Sequence, residues 1–483
     1  MRSVLVIGAG PAGLAAARSA LDAGASATLL DSSDELGGQF WHHLPSTRPA
    51  AREQSIHHGW SRYQLLRDRV EGDRSCRIIR GAQVFAMTTR DRPTVHVVTG
   101  ESDGVGRERM SLTADAIVIA TGAHDRTLPF PGWDLPGVFT AGAAQAFAKG
   151  ERVAVGARVM VAGAGPFLLP VAQSLAGIGS TVLAVLEANR TPALIRGWLP
   201  RPWELLPAAG KGLELAGYLA GHVKHRIPYR LGRAIVSAHG TDRVDSVTVA
   251  AVRADWSPIF GTEETVEVDA VCVSHGFTPR LELAIAAGCV LTPERFVRVD
   301  DQQLTSVSGV YAAGEVTGIG GVDLALAEGA IAGHSAAAGH GELRGERRRR
   351  RVFTGFARRI EAAHGVRPGW MAWLTEETTV CRCEEVSFGE LCAGVQQTES
   401  ESLRSLKLST RAGLGICQGR MCGRSVEQLL AANAESGVLT DHTITDRRPI
   451  AVPIRIGELA APSTTLSHHT SSTNHTMSTK GTP

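Results

Sequence analysis

Four of the chain's eight cysteines are spaced as a set. Cys381 and Cys383 stand in Val380-Cys381-Arg382-Cys383-Glu384. After thirty-three intervening residues, Cys417 and Cys422 stand in Gly415-Ile416-Cys417-Gln418-Gly419-Arg420-Met421-Cys422-Gly423. Four thiolates suffice to hold one [2Fe-2S] centre. Gly413, Gly415, Gly419 and Gly423 leave backbone N–H groups free to approach the sulfurs, and such hydrogen bonds, with burial, tune a cluster's potential. Zinc is the competing reading, but structural zinc sites use C-x2-C or slightly longer halves, and a C-x-C half departs from that pattern. Cys76, Cys272, Cys289 and Cys392 are scattered. Cys392 falls on a predicted helix from Phe388 to Val395, where a core role is the plain reading.

A second chemistry is written in the glycines near the start. Val4-Leu5-Val6-Ile7 reads as a strand and runs into Gly8-Ala9-Gly10-Pro11-Ala12-Gly13. An Ala-rich helical stretch follows to about Gly24, then a strand from Ala27 to Leu30 that ends on Asp31. This is the context in which G-x-G-x-x-G marks a dinucleotide site. Gly8 permits the tight turn, Gly10 lets the backbone approach a pyrophosphate, and Gly13 lets the helix pack on the strand. The helix N-terminus, with Pro11 and Ala12 in its first turn, offers N–H groups and a positive dipole to the phosphates. Asp31 is placed to accept from an adenosine ribose. The fingerprint alone leaves FAD and NAD both open.

The motif recurs in altered form. Arg158-Val159-Met160-Val161 leads into Gly163-Ala164-Gly165-Pro166, but Leu168 replaces the third glycine and Pro170 follows. Leucine holds the helix further from the strand, and proline fits only in the first turn. Glu187, ending the next strand, is positioned for a ribose 2′-hydroxyl, and the nearest arginine is Arg190, so NAD is favoured over NADP. A relic site holding another adenine nucleotide, or nothing, is the alternative.

The elements that must position these residues follow a repeated plan. Each glycine unit is followed by short alternating segments and then an apolar strand closing on glycine: Ala116 to Gly122, and Ala270 to Gly276. A third such strand, Gly309 to Glu315, has no fingerprint of its own and returns the chain to the first unit. The expected fold is therefore α/β with two dinucleotide-binding folds. The first spans residues 1–150 and 281–340, and the second is inserted at 151–280. A basic linker at 341–378 contains Arg347 to Arg351, which reads either as a solvated face or as a docking site for a partner. A small, mainly helical cluster domain occupies 379–460. Residues 461–483 are rich in Ser, Thr and His and are expected to be a disordered tail.

Bulk properties set the outer limits. With 483 residues the chain exceeds a single core. The net charge of +2 and the few aromatics among its basic residues do not ask for nucleic acid. Glycines break up the apolar start, as a secretory leader would not allow, and no long charge-free run suggests a transmembrane segment. A cytoplasmic protein is expected, and there eight cysteines do not read as four disulfides.

Several motifs carry a resemblance. Gly37-Gly38-Gln39, Ala120-Thr121-Gly122 and Tyr311-Ala312-Ala313-Gly314-Glu315 resemble the glutathione-reductase class of two-dinucleotide flavoproteins. The resemblance implies FAD in the first fold, with Gly38, Gln39, Val84, Thr121, Gly122 and Gly314 beside it. Glu315 stands where most members have Asp, and would hold the ribityl chain. No cysteine pair follows Gly38 and none lies in the second fold, so the redox-active disulfide of many members is absent. Val380 to Gly423 resembles the bacterioferritin-associated ferredoxin-like [2Fe-2S] domain, in which short helices pack around a cluster loop.

More closely, Val4 to about Leu459 resembles the FAD-binding α subunits of bacterial heteromeric amino-acid and opine dehydrogenases. That family includes the larger FAD-binding components of opine oxidase, D-hydroxyproline dehydrogenase and hydrogen cyanide synthase. The match rests on Cys417-Gln418-Gly419-Arg420, the altered second fingerprint through Leu168-Leu169-Pro170, and Ser274-His275-Gly276-Phe277-Thr278-Pro279, although many relatives carry Tyr at the position of His275.

This likeness implies that a small-molecule substrate loses electrons at its C–N bond on a separate flavoprotein subunit of amine-oxidase type. It also implies a further partner, a small ferredoxin-like subunit. The chain itself would pass the electrons through FAD and the cluster. A flavin takes two electrons and can release them singly, whereas a [2Fe-2S] centre takes one. Two other readings stand beside it: a self-contained NAD(P)H-dependent reductase, and a non-catalytic cluster scaffold. No catalytic side chain is assigned. His42, His43 and His275 fall near the flavin by position and read as packing or phosphate-side residues.

Overall fold

The computed structural model describes residues 1–45, 47–48, 53–400, 402–433 and 450–467. Its first sheet has five parallel strands in the order Val310–Ala312, Ala116–Ile119, Ser3–Ile7, Ser26–Leu30, Cys76–Ile79. A parallel sheet is covered on both faces, so its strands are apolar throughout rather than alternating. Val4, Leu5, Val6 and Ile7 are all buried. Helix α1 (Pro11–Asp22) opens directly after Gly10, with proline in its first turn, where no N–H is needed.

The second sheet repeats the plan in the order Tyr229–Leu231, Thr181–Glu187, Arg158–Gly163, Ala270–Ser274, Val138–Thr140. The edge strand Val138–Thr140 belongs to this sheet. The chain therefore enters the second fold before residue 151, earlier than the expected boundary. Helix α2 (Leu168–Gly177) follows the altered glycine turn, and α3 (Thr191–Trp198) follows Glu187. A two-stranded ribbon, Ala123–Asp125 paired antiparallel with Phe277–Pro279, links the two folds.

Helix α4 (Gly321–Ala336) returns to the first fold and packs on α1 through small residues. A Cβ on Gly329 would lie 2.1 Å from the Ala12 carbonyl oxygen, and one on Gly333 2.0 Å from that of Ala16. The basic stretch, whose sequence already has helical character, is mostly one helix, α5 (Arg344–His364). Its arginines are not all solvated. Arg350 turns inward to Glu328 on α4 (3.8 Å) and to Asp301 (3.3 Å). Arg359 donates to the carbonyls of Trp198 and Arg201 and to Glu204 at 2.9 Å. The helix thus fastens to both folds.

The thiol domain begins with a short ribbon, Thr379–Cys381 against Val386–Ser387, followed by α6 (Phe388–Thr398), α7 (Leu403–Thr410) and α8 (Gly423–Asn433). Ser387 and Glu390 form a capping box that starts α6. Residues 450–460, expected in this domain, lie instead against the first fold, where Glu458 pairs with Arg107 at 2.6 Å and Ala451 donates to the Phe85 carbonyl at 2.6 Å. The expected disordered tail also needs correction. Thr464–Ser467 adds a parallel strand to Glu108–Thr113 in the sheet that also contains Ala82–Thr88 and Thr94–Thr99. The remainder of that tail, 468–483, lies outside the described residues. Among the described residues no helix is long and apolar enough to cross a membrane.

Candidate functional site

The first glycine turn is built as its spacing requires. Gly8 has φ +101°, and a Cβ there would lie 2.3 Å from the Ala120 carbonyl oxygen. A Cβ on Gly13 would lie 1.7 Å from the oxygen of Gly8. Both positions exclude any side chain. Gly10 differs, because a Cβ there would meet nothing nearer than the Gly38 Cα at 4.0 Å. That open side is where the backbone could receive a pyrophosphate, with the first-turn amides of α1 beside it. Asp31 accepts from the amides of Ala9 (2.5 Å) and Ser33 (2.8 Å), which fixes the turn before any ribose arrives.

Thr121 donates to the Arg280 carbonyl at 2.9 Å, and Arg280 donates back to the carbonyl of Gly122. Gln39 is exposed, whereas the side chain of Val84 is buried in the core beneath the sheet. Gly314, at φ +81°, closes against Ala12 and donates to Glu328 at 3.0 Å. Glu315 accepts from the first amides of α4, Gly321 N–H at 2.8 Å. Burial, with Glu328 nearby, pushes its carboxyl up to about 7. Its side chain is thus engaged at a helix N-terminus. Glu328, which sequence reading missed, is buried, and burial likewise raises it.

The second turn retains the glycine geometry: Gly163 lies at φ +142° and Gly165 at φ +108°. Glu187, however, is fully occupied by protein groups. It accepts from Gly165 N–H (2.9 Å), from the backbone and side chain of Asn189 (3.0 and 2.9 Å), and from His364 Nδ1 (3.0 Å). His364 is the last residue of α5. His275 is buried between Trp256 and Trp373, and burial drops its pKa to about 3, so it packs rather than titrates near neutrality. His43 contacts the Tyr63 hydroxyl at 2.9 Å, and the His42 ring lies against Gly150.

The four spaced thiols form two pairs. Cys381 and Cys422 stand 3.6 Å apart, as do Cys383 and Cys417. Each pair takes one thiol from each half of the motif. Tetrahedral bonds of about 2.3 Å to a shared metal place two sulfurs about 3.8 Å apart, so each pair suits one metal ion. Among the described residues no three ligands gather as they would for a single metal ion. Two pairs suit a two-iron centre better than one zinc. Of the glycine amides expected to serve the sulfurs, that of Gly413 donates to Cys381 at 3.4 Å. The Cys422 thiol and this amide hold Cys381 well below the usual thiol range. All eight cysteines are free.

The thiol loop is fastened to the end of the first fold by contacts that no motif announces. His124, two residues beyond Gly122, approaches the Arg420 carbonyl at 2.8 Å through Nε2. The Arg420 guanidinium pairs with Glu282 at 2.6 Å and donates to the Ala451 carbonyl at 3.0 Å. Arg126 reaches Gln428 on α8 at 2.8 Å.

Two dinucleotide folds with a glycine-built pyrophosphate turn, joined to paired thiols, define a flavoprotein with an iron–sulfur domain. The chain belongs to the pyridine nucleotide-disulphide oxidoreductase family, which it matches over residues 2–341, and it matches the BFD-like [2Fe-2S] binding domain over residues 379–432. It is an FAD-dependent oxidoreductase carrying a [2Fe-2S]-binding domain. The A component of the opine oxidase of Rhizobium meliloti is 30% identical, over 95% of this chain and 87% of its own length. Hydrogen cyanide synthase subunit HcnB of Pseudomonas protegens is 29% identical, over 86% of this chain and 89% of its own. The crystal structure of L-proline dehydrogenase from P. horikoshii shares the fold, with a TM-score of 0.66 at 19% identity, covering 95% of this chain and 79% of that one.

Proposed function

We propose that this chain is the electron-transferring α-type subunit of a heteromeric amino-acid or opine dehydrogenase. In this reading the C–N bond is oxidised on a separate amine-oxidase-type flavoprotein subunit, which selects the substrate. The observation that carries the reading is the His124–Arg420 contact, which fastens the thiol loop two residues beyond Gly122, just past the FAD-fold strand. FAD supplies two-electron acceptance with one-electron release, and the iron–sulfur centre accepts single electrons.

The chain's own groups bind and position. The amides around Gly10 and the first turn of α1 would take the pyrophosphate, with Asp31 setting the turn. Cys381 with Cys422, and Cys383 with Cys417, would each hold one iron. Glu282 and Ala451 hold Arg420, so the cluster loop keeps one orientation against the first fold. The relatives' names, which make each of them one subunit of a larger enzyme, support a heteromeric assembly.

The test is co-expression with an amine-oxidase-type flavoprotein from the same genome. The complex should oxidise an imino acid or opine and reduce the cluster, while the isolated chain should not. An isolated chain that oxidises substrate at the rate of the complex would refute the assignment.

A further inference from the structure

One helix of the second fold is turned inside out. In the helix Ala209–Lys224 the polar side chains, not the leucines, point at the protein. Lys211, Glu214, Tyr218 and His222 recur at helical spacing along one face. Lys211 donates to Asp323 on α4 at 2.9 Å and to Glu214 at 2.8 Å. The Tyr218 hydroxyl donates to Glu214 at 3.0 Å, and buried His222 meets the Leu169 carbonyl on α2 at 3.2 Å.

The opposite face is aliphatic and open to solvent. Leu213 and Val223 are each 79% exposed, and Leu215 and Leu219 are exposed beside them. A surface helix ordinarily buries such a stripe against its own core. The turn just before the helix adds exposed Trp203 and Leu206. These six side chains together present on the order of 600–800 Å² of apolar surface. A monomeric protein rarely leaves more than a few hundred Å² uncovered in one patch, whereas each partner in a standard interface contributes about 800 Å².

The pattern of the face selects its occupant. Leu215, Leu219 and Val223 stand four apart and form a ridge. Exposed Gly212, Ala216 and Ala220 stand four apart in the neighbouring row and form a groove beside it. Ridges of this spacing pack into grooves of the same spacing where two helices cross. A two-fold axis through the face would lay each copy's ridge in the other copy's groove, which is the self-complementarity an isologous contact needs. Neither row holds a charged side chain that would repel its own copy. Residues 434–449 and 468–483, outside the described structure, are rich in Ser, Thr, Asp and His and offer no aliphatic row to fill the groove.

We infer that the exposed face of the helix Ala209–Lys224 is the two-fold contact of a homodimer, its occupant a second copy of this chain. The pairing would remove about 1,200–1,600 Å² of surface, enough for a stable complex, and homodimer contacts are the more apolar kind. Such a dimer needs no catalytic subunit, so it forms in the isolated holoprotein.

The test is sedimentation velocity of the holoprotein from micromolar to nanomolar concentration, with hydrogen exchange of the helix followed along the same series. The chain should be dimeric at micromolar concentration, and exchange in the helix should speed up as the dimer dissociates. Leu219→Asp sets a carboxylate from each copy into the apolar contact and should weaken association at least about a hundredfold. Leu219→Met should leave the dimer intact. Flavin absorbance and the electron paramagnetic resonance spectrum of the reduced cluster should be unchanged in both variants.

If Leu219→Asp loses either cofactor, Val223→Lys is read in its place. A native holoprotein that is monomeric at micromolar concentration overturns the proposal, as does a dimer that survives a charge in the ridge. Two further outcomes also overturn it by giving the face another occupant. One is co-sedimentation of a monomer with phosphatidylglycerol vesicles that the charged variant loses. The other is loss of binding to an amine-oxidase-type flavoprotein while self-association persists.

Discussion

His364 Nδ1 lies 3.0 Å from Oε2 of Glu187, a carboxylate with no exposed surface, at the position where a second dinucleotide would present its ribose. The carboxylate is already spent on protein donors. NADH is therefore expected to leave the flavin oxidised under anaerobic conditions, read as unchanged absorbance of the oxidised flavin. His364→Ala removes one donor to a buried carboxylate and should lower stability by about 1–3 kcal/mol, measured by denaturant unfolding.

The α1–α4 contact predicts a second effect. With a Gly329 Cβ falling 2.1 Å from the Ala12 carbonyl, Gly329→Ala forces the two helices apart. Overpacking of this kind costs about 1–3 kcal/mol. Because Ala12 sits in the first turn of α1, the variant should also retain less flavin after dialysis than the native chain.

Much of this geometry was legible in the sequence, and the reason is locality. Strand, glycine turn, helix and terminal acid lie within one short stretch, so Asp31 and Glu187 could be placed by spacing alone. The thiols were legible because their two halves carry their own pattern. His124 with Arg420, and His364 with Glu187, join residues 296 and 177 positions apart, and no local pattern encodes such meetings. The run Arg347 to Arg351 misled in a different way. Its charge suggested a solvated stretch, while Arg350 faces a buried carboxylate across the helix interface. Thr464–Ser467 has little apolar content, and it becomes a strand because the edge Glu108–Thr113 offers it a partner.

Glu315 gives a pH dependence with a definite sign. Its pKa rises from the ordinary 4.5 to about 7 in the fold, chiefly through burial. A raised folded value means the group's contribution to stability is fully present below about pH 4.5 and is lost as pH climbs through about 7. The flavin-free chain should therefore lose stability over that interval. Glu315→Gln should flatten the profile by about 2–3 kcal/mol between pH 4.5 and 8, measured by urea unfolding at each pH.

Arg420 should matter for communication more than for folding. Its guanidinium holds the partly exposed Glu282 carboxylate and the Ala451 carbonyl. Arg420→Ala should cost about 1 kcal/mol or less. It should nevertheless slow the appearance of the reduced-cluster resonance after photoreduction of the flavin. Identical kinetics in the variant would show that the cluster loop needs no such latch.

Helix α5 has a mechanical consequence. One end answers to Glu328 and the other to Glu187, so a single rigid rod is riveted to both nucleotide folds. A swivel of one fold against the other would have to shear a rivet first. The chain is braced like a truss, and its two nucleotide folds would keep one relative orientation.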